Sequence, residues 1–178
     1  MKIKVKVKEV TKGCKFEIIE KGDWIDLKAA EDMVLKAPQA EVLKYKGTGD
    51  NKVGHRDVTF DSHLIKLGIA MQLPKGHEAI ILPRSGTYKE VGVICRNSMG
   101  VIDNSYKGDN DIWRFTPLAM RDVTIHKGDR ICQFRLQLNQ KATVWQKLKW
   151  LFTSGYKFEW VDSLDNKDRG GFNSTGVK

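Results

Sequence analysis

Residues 129–138 read DRICQFRLQL and alternate almost without a break. Cys132, Phe134 and Leu136 fall on one face, and Ile131, Gln133 and Arg135 on the other. A period of two is the signature of a pleated strand with one buried side, and a helix cannot sustain it. The same period runs through Lys2–Val10, Glu31–Leu35 and Ile112–Phe115, and β-rich or apolar runs occupy Val58–Phe60, Leu64–Met71 and Glu78–Leu82. Turn signals lie between them at Gly22-Asp23, Pro74-Lys75-Gly76 and Lys127-Gly128-Asp129. Many short strands at close spacing predict an all-β barrel or sandwich. Two stretches depart from the period. Lys46–Arg56 (KGTGDNKVGHR) is polar and glycine-rich and predicts a long surface loop. Thr143–Phe152 (TVWQKLKWLF) spaces Val144, Trp145, Leu148, Leu151 and Phe152 as a short amphipathic helix, whose apolar side is expected to pack on the domain.

The chain has 178 residues, enough for one domain with a real core. No run of about 18 apolar residues is present, so no membrane-spanning helix is predicted. The N-terminus, MKIKVKVKEV, alternates lysine with Ile3, Val5 and Val7 and lacks the continuous apolar stretch of a signal peptide. Cys14, Cys95 and Cys132 are odd in number and have no CxxC spacing. That argues against a disulfide framework or a zinc site and for buried free thiols in a reducing cytoplasm. The net charge is +9. It suits an anionic partner, and equally a surface that keeps the protein in solution, because it is spread along the chain.

The most informative stretch is GVIDNSYKGD, residues 100–109. Val101 and Ile102 end an apolar run, Asp103 follows, and Tyr106 stands three residues later. Asp, Asn and Ser make turns, so Asp103 has either a conformational or a chemical reason to be there. Four other stretches bear on the choice. PRSG (83–86) offers a guanidinium, a hydroxyl and a glycine that lets backbone approach closely, a set able to hold phosphate. KGDRICQF (127–134) carries Gln133 on a polar strand face. WIDLKA (24–29) carries Asp26. The tail DRGGFNSTGVK (168–178) combines Arg169, Phe172 and the small residues Ser174, Thr175 and Gly176, which could hold phosphate and stack on a base, or form only a loose terminus.

Taken in order, PRSG, NSMGVIDNSYKG, GDRICQF and GGFNSTG, with Asp26 upstream, resemble the trimeric deoxyuridine triphosphatase (dUTPase) family from about Asp23 to Gly176. The resemblance implies a jelly-roll-like distorted β-barrel that assembles as a homotrimer, with sites at subunit interfaces, each closed by the C-terminal arm of a neighbouring subunit. It divides the chain into a barrel over residues 1–164, a loop insertion at 46–57, an amphipathic insertion at 141–157 and an arm at 165–178. The implied reaction is hydrolysis of dUTP to dUMP and pyrophosphate with Mg2+, which limits uracil in DNA and supplies dUMP for thymidylate synthesis. No membrane or nucleic-acid partner is implied.

The resemblance also implies roles. Asp103 would activate the attacking water, and a carboxylate of ordinary pKa is ionised and able to accept its proton. Tyr106 would lie under the deoxyribose and leave no room for a 2′-hydroxyl. Asn97 and the backbone of Gly100, Val101 and Ile102 would read the uracil. Arg84, Ser85, Gly86 and Gln133 would hold the phosphates, and Asp26 would reach the magnesium through water. Phe172 would stack on uracil, Ser174 and Thr175 would wrap the γ-phosphate, and Arg169 would supply the arm's cation.

Four features depart from the family. DWIDL replaces the usual AGYDL, Asp109 replaces a glutamate, Asn173 replaces a glycine, and Arg169 stands three residues before Phe172 rather than five, where Lys167 lies. Arg169 is the better phosphate ligand because its planar fork binds bidentately. The alternatives are a related dCTP deaminase and a non-catalytic binding trimer. The first needs a glutamate that Ile112–Met120 (IWRFTPLAM) lacks. The second draws only on the net charge and the insertions.

Overall fold

The structure is a computed structural model that describes residues 2–18 and 22–171. The long alternating run forms the strand Arg130–Leu138, and it organises the larger sheet. That sheet has the order Gly100–Ile102, His77–Pro83, Arg130–Leu138, Ile25–Lys28, antiparallel throughout. A second sheet holds Ile3–Glu9 between Tyr156–Val161, parallel to it, and Ile69–Gln72, antiparallel to it. Shorter ladders complete the barrel: Met33–Leu35 with Val123–Ile125, Ile65–Lys66 with Arg114–Phe115, and Val93–Cys95 with Pro117–Ala119.

The apolar faces of both sheets meet in one core that includes Val5, Val7, Leu27, Met71, Ile81, Trp113 and Phe134. Phe134 sits in an aromatic nest. The rings of Phe16, Trp113 and Phe158 meet it edge-on with centroids 5.4, 5.2 and 6.1 Å away. All three cysteines are buried free thiols, as their spacing predicts.

Four local expectations are corrected. Ile131 was assigned to the polar face of its strand, yet it is buried with Cys132. The register against Ile25–Lys28 shifts between Arg130 and Cys132, and this bulge turns the extra residue inward. The segment 46–57 is not an open loop. It is the distal part of a projecting hairpin in which Gln39–Ala40 pairs with Val58–Thr59 and Lys44–Lys46 with Val53–His55. Tyr45 and Val53 supply β-favouring side chains that the glycines obscure, and Gly47, at φ +92°, makes the turn where a Cβ would strike the Asn51 carbonyl. The strand Tyr156–Val161 was not foreseen, because all of it but the exposed Lys157 is half-buried and it does not alternate cleanly. The helix Val144–Leu151 forms as expected, capped by Thr143, but its apolar side does not pack on the domain.

Phe134→Ala opens a cavity at the aromatic nest. It is expected to lower unfolding stability by about 3–5 kcal/mol, read as a shifted urea midpoint with unchanged slope.

Candidate functional site

Two constellations emerge, at opposite ends of the strands of the four-stranded sheet. The first gathers Asp26, Arg84 and Gln133. Asp26 and Gln133 are cross-strand partners, and Gln133 is also opposite Leu82. The strand ends at Pro83, and the next residue, Arg84, turns its guanidinium onto Asp26, with Nε–Oδ1 at 2.9 Å. Arg130, which sequence reasoning passed over, donates from Nη1 to the other Asp26 oxygen at 3.3 Å. Gln133 donates to the Pro83 carbonyl at 3.1 Å. The turn after PRSG is held by Thr87, whose hydroxyl accepts from the Arg84 amide and donates to the Ile131 carbonyl. A single wide π-type turn follows at Thr87–Val91. Ser85 is left exposed and Gly86 half-buried at its mouth. Asp26 thus faces two guanidiniums while the Glu90 carboxylate lies against Gly86, so an incoming anion would have to compete with Asp26 for Arg84 and Arg130.

The second constellation lies at the other end, beside one edge strand. Gly100–Ile102 is an edge strand paired only with Ala79–Ile81 within its sheet, so its outer N–H and C=O groups face outward. Gly100 lies close on Ile81, where a Cβ would be 3.3 Å from the Ile81 Cβ. Asn97 is exposed in the preceding turn, whose Ser98 takes φ +60°. Asp103 begins the next turn, closed by a Tyr106 amide to Asp103 carbonyl bond of 3.0 Å. Asn104 pins that turn to the body, donating to the carbonyls of Leu73 and Pro74 at 2.7 Å each. Asp103 is exposed, and Tyr106 is buried beside it. The Tyr106 hydroxyl donates to the Ile112 carbonyl at 3.0 Å, and burial raises its pKa, so it stays a neutral donor.

The base of the arm docks on this same turn, within one chain. Arg169 Nη1 lies 2.9 Å from Asp103 Oδ2. Gly171 runs against the Tyr106 ring, where a Cβ would come within 3.2 Å of Cε2. The fastener is Asp111, almost wholly buried and unnoticed in the sequence. Its carboxylate accepts from the amides of Lys107 and Gly108 on one side and of Arg169 and Gly170 on the other, at 2.8–3.2 Å. Two neighbours extend the clasp. Asp168 accepts from the amide and side chain of Asn110, and those bonds hold its carboxyl below the usual range. Asp109 accepts from the Leu164 amide and the Ser163 hydroxyl and is lowered likewise. Gly108 is required at the crossing, since a Cβ there would strike Asp168. The sequence signal was the density of acids in GDND beside a glycine. It reads as a turn until the partner segment, about 60 residues away in the chain, is known. Phe172, Ser174, Thr175 and the rest of the tail lie outside the described residues.

A cleft of about 550 Å³ opens beside Asp103 and Arg169, lined also by Lys75, Asn104, Lys141 and Gln146. No grouping of three or more His, Cys, Asp or Glu side chains suited to a metal occurs among the described residues.

Fold and site define a β-barrel protein with an exposed acid beyond an edge strand and a guanidinium-lined phosphate-type turn. The sequence model of the dUTPase family matches residues 55–149. The chain is 44% identical over 178 residues to the SPbeta prophage-derived deoxyuridine 5′-triphosphate nucleotidohydrolase of Bacillus subtilis, covering 100% of both. It is 36% identical over 121 residues to the deoxyuridine 5′-triphosphate nucleotidohydrolase of Hydrogenobaculum sp., covering 67% of this chain and 74% of that one. The dUTPase of Streptococcus mutans has the same fold, with a TM-score of 0.56 at 18% identity over 74% of this chain and 90% of that one. So has the dUTPase of Staphylococcus aureus phage phi11, with a TM-score of 0.56 at 15% identity over 79% and 93%. This chain belongs to the dUTPase family.

Asp111→Ala leaves the amides of Lys107, Gly108, Arg169 and Gly170 without their shared acceptor. It is expected to cost at least about 2 kcal/mol of stability, and to raise amide hydrogen exchange selectively in residues 163–171.

Proposed function

We infer that this chain is a dUTP nucleotidohydrolase, cleaving dUTP to dUMP and pyrophosphate. The observation that carries the reading is the exposed Asp103, one residue beyond an edge strand whose backbone is open and beside the buried Tyr106. An edge strand can read a pyrimidine through its N–H and C=O groups, with Asn97 at the same edge. The Tyr106 ring, fixed by its bond to Ile112, supplies a rigid floor for a sugar without a 2′-hydroxyl. Asp103 orients and deprotonates a water for attack on the α-phosphorus, and pyrophosphate leaves. Arg169, resting on Asp103 before substrate arrives, exchanges that carboxylate for the incoming phosphates and frees Asp103 for the water.

The phosphates need Arg84, Ser85, Gly86 and Gln133, which one chain does not offer to its own Asp103. Gln133 lies two strand spacings from the strand that precedes Asp103, roughly 10 Å, and Arg84 follows the strand one spacing away, roughly 5 Å. The larger separation is along the strands, where Asp103 is offset by about four residues from Gln133, roughly 13 Å, and by about six from Arg84, roughly 20 Å. A site containing both sets therefore draws on two copies, which supports a homotrimer with shared sites. The resident residues do not fit a stably held metal on their own, because both Asp26 oxygens face guanidiniums. Mg2+ would come with the triphosphate as part of the substrate, and Asp26 would reach its water shell once the phosphates draw Arg84 and Arg130 away.

Purified protein with dUTP and Mg2+ is expected to yield dUMP and pyrophosphate and to leave UTP, dCTP and dTTP intact. Asp103→Asn is expected to lower kcat by about 10²–10⁴-fold with little change in KM. Intact dUTP with the wild-type protein would overturn the reading. Shared sites have their own test. Asp103→Asn and Arg84→Ala chains, each inactive alone, are expected to regain activity when unfolded and refolded together, because mixed oligomers contain some sites with both residues. No regained activity would place each site within one chain.

A further inference from the structure

The helix Val144–Leu151 sits on the barrel inside out. At about 100° per residue, Leu151, Val144, Leu148, Phe152 and Trp145 share an arc of about 120°. In a helix that covers a core, this arc faces inward. Here it faces solvent: Val144, Trp145, Leu151 and Phe152 are 69%, 80%, 67% and 79% exposed, and Leu148 is 40% exposed. The side toward the body carries Gln146, which packs where Gly76 leaves room. Tertiary burial does not hold the helix. Thr143 and Gln146 form a capping box, with Thr143 N–H donating to Gln146 Oε1 at 2.8 Å. The apolar face is therefore made by local sequence and left without a partner among the described residues.

Charge selects the partner. Lys147 and Lys149 flank the apolar arc, one on each side. From Asn139 to Lys157 the chain carries Lys141, Lys147, Lys149 and Lys157 and no carboxylate side chain. A second copy docked face to face would bring these lysines against their own kind. An aromatic and aliphatic face flanked by lysines matches a negatively charged lipid surface, where apolar side chains enter the boundary and ammonium groups reach the phosphates.

We propose that this helix lies in the plane of an anionic phospholipid surface, with Trp145, Leu148, Leu151 and Phe152 inserted and Lys147 and Lys149 on the headgroups. This departs from the sequence reading, which implied no membrane partner. The inserted side chains do not line the cleft at Asp103, so hydrolysis and membrane docking can be measured separately.

The test uses the full chain and sedimented vesicles of phosphatidylglycerol with phosphatidylcholine, or of phosphatidylcholine alone, at low salt. Partition into the anionic vesicles only is expected. Lys147→Gln with Lys149→Gln is expected to weaken it about thirtyfold. Trp145→Ser with Phe152→Ser, at unchanged charge, is expected to abolish it, and dUTP turnover in solution should stay at the wild-type level in both variants. Three results would overturn the proposal. One is no partition into anionic vesicles. Another is equal partition by the Trp145→Ser, Phe152→Ser variant, which would mean adsorption of a cationic protein by charge alone. The third is concentration-dependent self-association without lipid that this variant removes, which would assign the face to a second copy.

Discussion

The layout of the molecule depends on the antiparallel register between His77–Pro83 and Arg130–Leu138. That register sets Phe134 opposite Ile81 and Gln133 opposite Leu82. A slip of one residue would turn Phe134 to solvent and Gln133 into the core. The aromatic nest around Phe134 makes such a slip costly, so the apolar core also fixes where the polar site residues point. Both edges of the sheet inherit their positions from this pair. Gly100–Ile102 is laid on one side of it and Ile25–Lys28 on the other.

With that frame set, the chain uses its carboxylates as fasteners. Asp26 is held between two guanidiniums, Asp103 meets Arg169, and Asp111 spends its lone pairs on four backbone amides. In a chain of net charge +9, acids facing so many donors gain hydrogen bonds that offset their burial. Asp111 and Asp103 have opposite settings. Asp111 is buried with its acceptor capacity taken, which suits a structural clasp. Asp103 is exposed with one partner on a long, exchangeable side chain, which suits a group that must release that partner to act. The clasp also bears on the short arm. Because Asp111 grips the Arg169 and Gly170 amides themselves, Arg169 is delivered to Asp103 from a fixed point, whereas Lys167 lies before the clasp.

The elements that could be read from sequence were those where local and global preference agree. Arg130–Leu138 and Ile3–Glu9 alternate because one face is core and the other solvent, and their ranges match the period within a residue or two. The distal part of the hairpin, Lys46–Arg56, was read as a loop because glycine and polar residues dominate a projecting ribbon that has no buried face to impose a pattern. The strand Tyr156–Val161 escaped because it pairs in parallel with a segment at the far end of the chain, and no local signal announces a parallel partner. The helix itself was legible, and the direction of its apolar face was not. Periodicity says that such a face exists, but only the seating of Gln146 over Gly76 says which way it points.

The sequence by itself determined the long alternating strands, the helix and the free thiols, and its motifs, in an order that is specific, carried the family. The tertiary structure decided their grouping. Asp26, Arg84 and Gln133 meet because strands distant in sequence are adjacent in the sheet. Asp103 is kept from them because its strand runs antiparallel to His77–Pro83 and leaves the sheet at the opposite end from Arg84. Asp111 acquires its role only when residues 163–171 fold back over it. Alternation, capping and turn chemistry act over a few residues and leave their mark there. Register, sheet order and the filling of a buried carboxylate's acceptor sites are long-range properties, set by which segments exclude water together.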